Sequence, residues 1–324
     1  MSIQLSLITP SGHLTLGNLI GALAPMVAAQ ESGDVCYFGL SDLHALTVPR
    51  DPDQVRSLVR ELMILMLAAG LDRDRVTLLR QSQVPAHAEL SYLLESTVHM
   101  GELNRMIQFK EKGRGRPGTR ASLFTYPALM AADILLYRPT EVPVGDDQRQ
   151  HVELTRDLAI RFNHTYGEVF TIPRVVIPPT GARIMDLQDP TTKMSKSRED
   201  GRGTVYLLDP PDVVRRKIAR AVTDSEAQIR HDVDAKPGVS NLLEIIAACT
   251  GCSLEQAAAG LDNYGALKRR ATDAVIMMLE PVQQRCAELA ADPGLVEAVY
   301  AAGAARARGV TAPVLAAAQQ AMGL

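Results

Sequence analysis

The stretch IQLSLITPSGHLTLGN, residues 3–18, carries the reading on which the rest of the chain depends. Ile3–Ile8 is a short apolar run, and Thr9-Pro10-Ser11-Gly12 is turn chemistry. Together they read as a buried strand running into a loop. From Leu16 to Gln30 the pattern becomes that of an apolar helix. In a doubly wound fold the turn between such a strand and helix lies at the carboxyl edge of the sheet, where nucleotides bind. The start of the helix offers free N–H groups and partial positive charge to phosphate. Gly17 would let a nucleotide approach the backbone, and Thr15 and Asn18 could donate to phosphate oxygens. The same two residues are also ordinary helix caps. Pro25 falls inside this helix and is expected to kink it or break its hydrogen-bond ladder.

Outward from this stretch, Val35–Leu40 and Val76–Leu79 read as further strands. Between them Asp51-Pro52 opens a helix, with Asp as N-cap and Pro at the first position, and Gly70 ends it. Helical patterns cover Ala86–Met100, Tyr126–Leu136 and Gln148–Phe162, with a short extended piece at Glu141–Val144. Strands alternating with helices predict a parallel sheet wound on both faces. After Pro210-Pro211 the chain turns Ala-rich and helix-periodic, as in Leu242–Ala248, Leu267–Leu279 and Val310–Met322. The expected architecture is an α/β nucleotide-type domain followed by an all-α domain.

Composition fits this picture: 324 residues, 46% hydrophobic and 22% charged, with room for two domains. A net charge of −3 means that any nucleic-acid contact must come from local basic patches. No apolar run reaches membrane length and the first residues lack a signal-peptide pattern, so a cytoplasmic protein is expected, with no membrane partner. Of the four cysteines, Cys249 and Cys252 form a lone CxxC without a second pair at zinc spacing. Ser253-Leu-Glu-Gln256 reads as a capping box beside them, so they are expected to be reduced structural thiols. The chain contains no tryptophan.

The second motif is Lys193-Met194-Ser195-Lys196-Ser197, near Gly201 and Gly203. Alone, it could be a solvated charged loop. In order after the first motif, it is specific. Here the chain resembles the class I aminoacyl-tRNA synthetases, with KMSKS and, in Thr15-Leu-Gly-Asn18, a variant of their HIGH signature. More narrowly it is similar to bacterial tryptophanyl-tRNA synthetases. That likeness rests also on Asp42–Thr47, Tyr126–Tyr137, Val142–Gln148, Gly181–Met185, Ala221–Ser225 and Lys236–Leu242.

The resemblance implies a Rossmann-type catalytic domain with a connective insertion over residues 1–203. A helical anticodon-binding domain would occupy 204–324, its last helix packing back on the first domain. It implies tryptophan–tRNA ligase activity: ATP and L-tryptophan give tryptophanyl-adenylate and pyrophosphate, and tryptophan passes to tRNA(Trp). ATP would come with Mg²⁺, for which no dedicated protein ligand is visible, and the protein would be a homodimer. Thr15, Asn18, Lys112, Lys193 and Lys196 would be the catalytic set. ATP would also meet Thr9, Pro10, Ser11, Gly12, Gly17, Gly145, Asp147, Ile184, Met194, Ser195 and Ser197. Asp133 would accept the indole N–H, within walls formed by Leu5, Leu7, Met130, Ile134, Val142 and Val144. Tyr126 and Gln148 would hold the amino group, and His44 would line the pocket. Before any resemblance is invoked, Asp133 is an acid in an apolar helical run that needs a partner. The basic run Lys110–Arg120 would reach ATP through Lys112, with Arg114 and Arg116 as tRNA contacts or a solvated loop. Arg215-Arg216-Lys217 and Lys268-Arg269-Arg270 are candidate tRNA phosphate contacts, or solvated helix faces.

Three positions depart from the family pattern. Leu7 stands for a glycine, Thr9 for a glutamine and Leu5 for a frequent phenylalanine. Leu7 is expected to crowd the indole or the carboxylate. With the absent tryptophan, this raises the expectation of an auxiliary, inhibitor-tolerant copy. A tyrosyl-tRNA synthetase and a non-charging sensor of tryptophan and ATP are the competing readings.

Overall fold

The computed structural model describes residues 2–113, 115–177, 183–196 and 201–324. Ser197, Gly181 and Arg114 therefore lie outside the described residues. Strand β1 (Ile3–Ile8) leads to helix α1 (Leu16–Asn18), a π-helical turn (Leu19–Leu23) and α2 (Ala24–Ala29). Pro25 accounts for the π turn. It has no N–H to donate four residues back, so the ladder shifts and the Ala24 N–H bonds the Leu19 carbonyl, five back. The helix neither breaks nor ends.

β2 (Val35–Leu40) follows, then α3 (Pro52–Ala68), whose N-cap Asp51 accepts from the Asp53 and Gln54 amides at 2.9 and 3.1 Å. After β3 (Thr77–Arg80) come α4 (Ala86–Glu95), α5 (Met100–Arg105), α6 (Ile107–Lys112) and α7 (Ser122–Leu135). The helix expected over Ala86–Met100 thus ends at Glu95, and Met100 instead opens the next one. β4 (Glu141–Pro143), α8 (Arg149–Tyr166) and β5 (Arg174–Val176) complete the α/β part. Then come α9 (Pro211–Ala219), α10 (Pro237–Thr250), α11 (Leu254–Ala258), α12 (Tyr264–Ala291) and α13 (Pro293–Met322).

β1, β2 and β3 form a parallel sheet in that order, and β4 pairs with β5 in parallel. β4 lies beside β1, so the strand order reverses between them. That reversal is the switch point at which such folds bind ligands. The alternation of β1 sends Leu5 and Leu7 into one apolar core with α4, α7 and α8. Leu14, Leu16, Ile184 and Met194 pack in a second core with α3, α10 and α12. The two cores meet at β1, and the first motif sits at the end of that strand.

α13 returns across the first core. A Cβ on Gly303 would fall 1.7 Å from the Leu78 carbonyl, so only glycine lets α13 lie this close to β3. Tyr300, fully buried, donates its hydroxyl to the Met63 carbonyl at 3.3 Å.

Candidate active site

α7 carries Asp133 into the interior, where it is only 5% exposed. Its carboxylate is held from three sides. His44 Nε2 lies 2.8 Å from Oδ2, His87 Nδ1 lies 2.6 Å from Oδ1, and Gln81 Nε2 donates to Oδ1 at 2.7 Å. Since a carboxylate only accepts, His87 donates to it from Nδ1, and His87 Nε2 lies 3.0 Å from the Tyr137 hydroxyl. Burial by itself would raise the Asp133 carboxyl, but the hydrogen bonds from His44 and His87 outweigh it and hold the group down at about 2. Asp133 is therefore an anion at neutral pH.

Around this floor the expected wall residues come together. Leu5, Ile134 and Val142 are buried in one cluster, with Leu7, Met130 and Val144 packed against it. Leu7 is paired in register with Gly39, where a Cβ would fall 1.9 Å from the Leu79 carbonyl. β2 and β3 thus approach closely beside the leucine. Tyr126 bonds His151 Nε2 through its hydroxyl. Burial keeps the Tyr126 phenol protonated and pushes His151 down to about 4, so the imidazole is neutral and can accept. Gln148 turns its amide to Asp147 Oδ2 at 3.0 Å, within the tight turn begun by Gly145.

The other side of β1 holds the rim built by the first motif. Thr15 and Asn18 form a capping box. Asn18 Oδ1 accepts from the Thr15 amide at 3.0 Å, and Thr15 Oγ1 accepts from the Asn18 amide. The cap reading therefore holds for both, while Asn18 Nδ2 makes no bond among the described residues. Thr9 Oγ1 and Ser41 Oγ are 2.8 Å apart. The arm residues Lys193–Lys196 fold over this motif. Its Lys193 bridges to Met185 in antiparallel fashion, and Met194 donates its amide to the Ile184 carbonyl at 3.1 Å. A Cβ on Gly17 would stand 3.6 Å from Ile184 Cβ and 3.9 Å from Met194 Cβ. A Cβ on Gly12 would stand 3.3 Å from Lys196 Cβ. Lys196 Nζ donates to the Thr9 carbonyl at 3.4 Å, and burial pushes its ammonium down to about 8. Pro10 is buried beside it and Ser11 exposed, while Ser195 is half-buried in the arm. Gly203 faces the Asp186 carboxylate so closely that a Cβ would overlap it at 1.9 Å.

Not every candidate joins the rim. Lys193 points to solvent, and Lys112 is exposed at the end of α6 with no hydrogen bond to the arm among the described residues. Arg120, from the same basic run, instead donates to the Leu46 carbonyl at 3.0 Å and ties the run to the turn that carries His44. Several basic candidates of the helical region have structural work. Lys268 caps α9 through the Ala219 carbonyl at 3.2 Å, and Arg270 bonds the Ala257 and Ala259 carbonyls. Lys217 pairs with Asp209 at 2.7 Å. The capping box at Ser253 and Gln256 is present, and burial pushes the Cys249 thiol up to about 12, which keeps it unreactive.

Sequence reasoning demanded a partner for Asp133 but named neither Gln81 nor His87, which lie 52 and 46 residues away. His151 was missed as well, since it looks like one polar residue among many in a charged helix.

A family model for class I tRNA synthetases (W and Y) matches residues 3–280. The chain is 53% identical over 321 residues to tryptophan–tRNA ligase 1 of Streptomyces avermitilis, covering 98% of this chain and 97% of that one. It is similar to the crystal structure of tryptophanyl-tRNA synthetase from Mycoplasma pneumoniae, at 37% identity and a TM-score of 0.90 over 100% of this chain and 98% of that one. It also matches the Campylobacter jejuni tryptophanyl-tRNA synthetase complexed with ADP and tryptophan, at 28% identity and a TM-score of 0.85 over 99% and 100% of the two chains. With the switch-point site on one side and these likenesses on the other, the chain belongs to the class I tRNA synthetases of the tryptophan and tyrosine group.

Proposed function

We propose that the protein is a tryptophan–tRNA ligase. The observation that carries this reading is Asp133, a buried anion set beside a cluster of apolar side chains. An indole has a large apolar body and a single N–H donor. It fits a site that offers apolar walls and one charged acceptor. Such an acceptor rejects side chains without the donor, because binding them would leave it unpaired. A phenol could also donate to Asp133, so the tyrosyl reading is separated by experiment.

In the reaction, a carboxylate oxygen of L-tryptophan attacks the α-phosphorus of ATP and pyrophosphate leaves in line. The protein's part is to position the two reactants and to stabilise charge as it moves onto the leaving phosphates. Lys196, Lys193 and, on closure, Lys112 supply positive charge, and Asn18 Nδ2 supplies a neutral donor. The backbone at Ile184 meets the adenine, and Tyr126 and Gln148 hold the amino group. Among the described residues no group of three or more His, Cys, Asp or Glu is placed to hold a metal. Mg²⁺ would therefore be held mainly by the ATP phosphates, as hard cations often are. The adenylate then passes tryptophan to the terminal ribose of tRNA(Trp).

The reading extends to a first domain over 1–203, an anticodon-binding domain over 204–324, a homodimer and a cytoplasmic enzyme. No helix among the described residues is long and apolar enough to cross a membrane. The position of Leu7 against the pocket cluster, with the absence of tryptophan from the chain, supports an auxiliary copy that tolerates indole-based inhibitors. Inhibition by indolmycin equal to that of an ordinary bacterial enzyme would remove that last part. ATP–pyrophosphate exchange tests the whole. Exchange with tryptophan and not with tyrosine is expected, and no exchange with either would leave only a binding protein.

A further inference from the structure

We propose that Asn241, in helix α10, is a positioning residue for the phosphate-binding arm, setting where Lys193 and Lys196 stand without belonging to the site itself. The proposal rests on the functional reading above.

Asn241 is 3% exposed and grips one backbone residue at two points. Its Oδ1 accepts from the Met185 amide at 2.9 Å, and its Nδ2 donates to the Met185 carbonyl at 3.0 Å. A primary amide presents donor and acceptor side by side, so it serves the backbone as a neighbouring strand would. The other edge of the same short segment carries the arm. Met185 bridges to Lys193, the Met194 amide bonds the Ile184 carbonyl, and the Asp186 amide bonds the Thr192 carbonyl at 2.9 Å. The segment Ile184–Asp186 is therefore held between Asn241 on one side and the KMSKS arm on the other. It also brings Ile184 and Met194 against Gly17.

A second tie keeps α10 in place relative to that segment. A Cβ on Gly238 would fall 2.0 Å from the Val222 carbonyl, and the Val222 amide in turn bonds the Leu187 carbonyl at 2.8 Å. Just before the helix, Lys236 is 1% exposed and paired with Asp224 at 2.8 Å and Glu226 at 2.9 Å. The start of α10 and the root of the arm are thus one mechanical unit. Loss of the Asn241 amide leaves the Met185 amide and carbonyl unpaired and frees the root of the arm to drift. A displacement of about 1 Å at a reacting group costs on the order of 100-fold in rate.

Wild-type enzyme, Asn241→Ala and Asn241→Asp are compared in tryptophan-dependent ATP–pyrophosphate exchange, and L-tryptophan binding is followed by its own fluorescence. The chain has no tryptophan, so the ligand is read without a background from protein indoles. Lack of exchange by the wild type strikes the functional reading and not the clasp. With the wild type active, both variants are expected to raise the KM for ATP and lower kcat, by roughly 10-fold each. Tryptophan affinity should stay within about a factor of two, since Asp133 and its partners lie in the other core. An unchanged KM for ATP, or a parallel loss of tryptophan affinity, overturns the proposal. Asn241→Asp keeps the volume and the acceptor, so it decides the question if the alanine variant does not fold. One wild-type measurement is independent of any variant: the Met185 amide must exchange hydrogen as slowly as the amides of α10. Exchange as fast as in an exposed loop would mean there is no clasp.

Discussion

In the proposed function Asp133 and Lys196 are the central charges of two halves of one site, and the protein treats them in opposite ways. Asp133 is carried on a regular helix and held by His44, His87 and Gln81. Lys196 sits on an irregular arm, with one long bond among the described residues, 3.4 Å from its ammonium to the Thr9 carbonyl. The first arrangement is preorganised before any ligand arrives, so it suits selection between similar side chains. The second leaves a charge incompletely satisfied, so it suits a group whose partner, a polyphosphate, comes and goes with every turnover. On the proposed function, rigidity is placed where identity is read, and looseness where the leaving group must be released.

The strongest way to break this comparison is Lys196→Ala. It should lower tryptophan-dependent exchange on the order of 100-fold or more, the scale on which removing one donor to a developing negative charge acts. Tryptophan affinity measured by ligand fluorescence should hardly move. A matching loss of tryptophan binding would show that the two halves are not separate. Asp133→Asn tests the other half and should lower kcat/KM for tryptophan by roughly 10- to 100-fold, the scale of a lost charged hydrogen bond in a buried site. It should also lower the thermal midpoint, because His44 and His87 lose the anion between them. Retention of full selectivity for tryptophan over tyrosine would remove Asp133 from the reading.

Two further predictions concern protons. His151 has an ordinary value near 6.5 and is pushed down to about 4 in the folded chain by burial. Between those values the unfolded chain binds this proton and the folded chain does not, so unfolding takes up a proton and is favoured as pH falls. The stability is fully present above about pH 6.5 and is lost progressively towards pH 4, by roughly 3 kcal/mol from this residue. Urea unfolding at several pH values, with His151→Gln as the comparison, measures it; an equally steep fall in the variant would assign the loss elsewhere. The smallest effect belongs to the rim. Lys196 is held near 8, and an arriving polyphosphate restores its charge. ATP binding slightly above pH 8 should therefore take up a fraction of a proton, seen as a calorimetric heat that changes with the ionisation enthalpy of the buffer. Heats independent of the buffer would place Lys196 in water already.

Some of this was legible one residue at a time. The first strand was read as Ile3–Ile8 and found there, because six apolar-rich residues before a Thr-Pro-Ser-Gly turn have few other uses. The N-cap at Asp51 and the capping box at Ser253 rest on local chemistry and were equally readable. Pro25 shows the limit of local reading: the missing N–H was certain, but a ladder shift of one residue was as good a response as a kink. The early end of the expected helix at Glu95 belongs to the same class, since apolar residues at Leu90, Leu94 and Val98 continue a helical spacing past it.

The sequence by itself determined which chemistries are present: a parallel α/β core with a helical end, two lysines in a short arm, an acid in an apolar helix. Those follow from periodicity, composition and turn residues, which act over a few neighbours. Only the tertiary structure decided the partners. Gln81 and His87 reach Asp133, Asn241 reaches Met185, and Gly203 admits Asp186, across separations of 52, 46 and 56 residues for the first three. A hydrogen bond needs its atoms within about 3 Å, and nothing in the local pattern of a chain says which distant residue will be folded into that range.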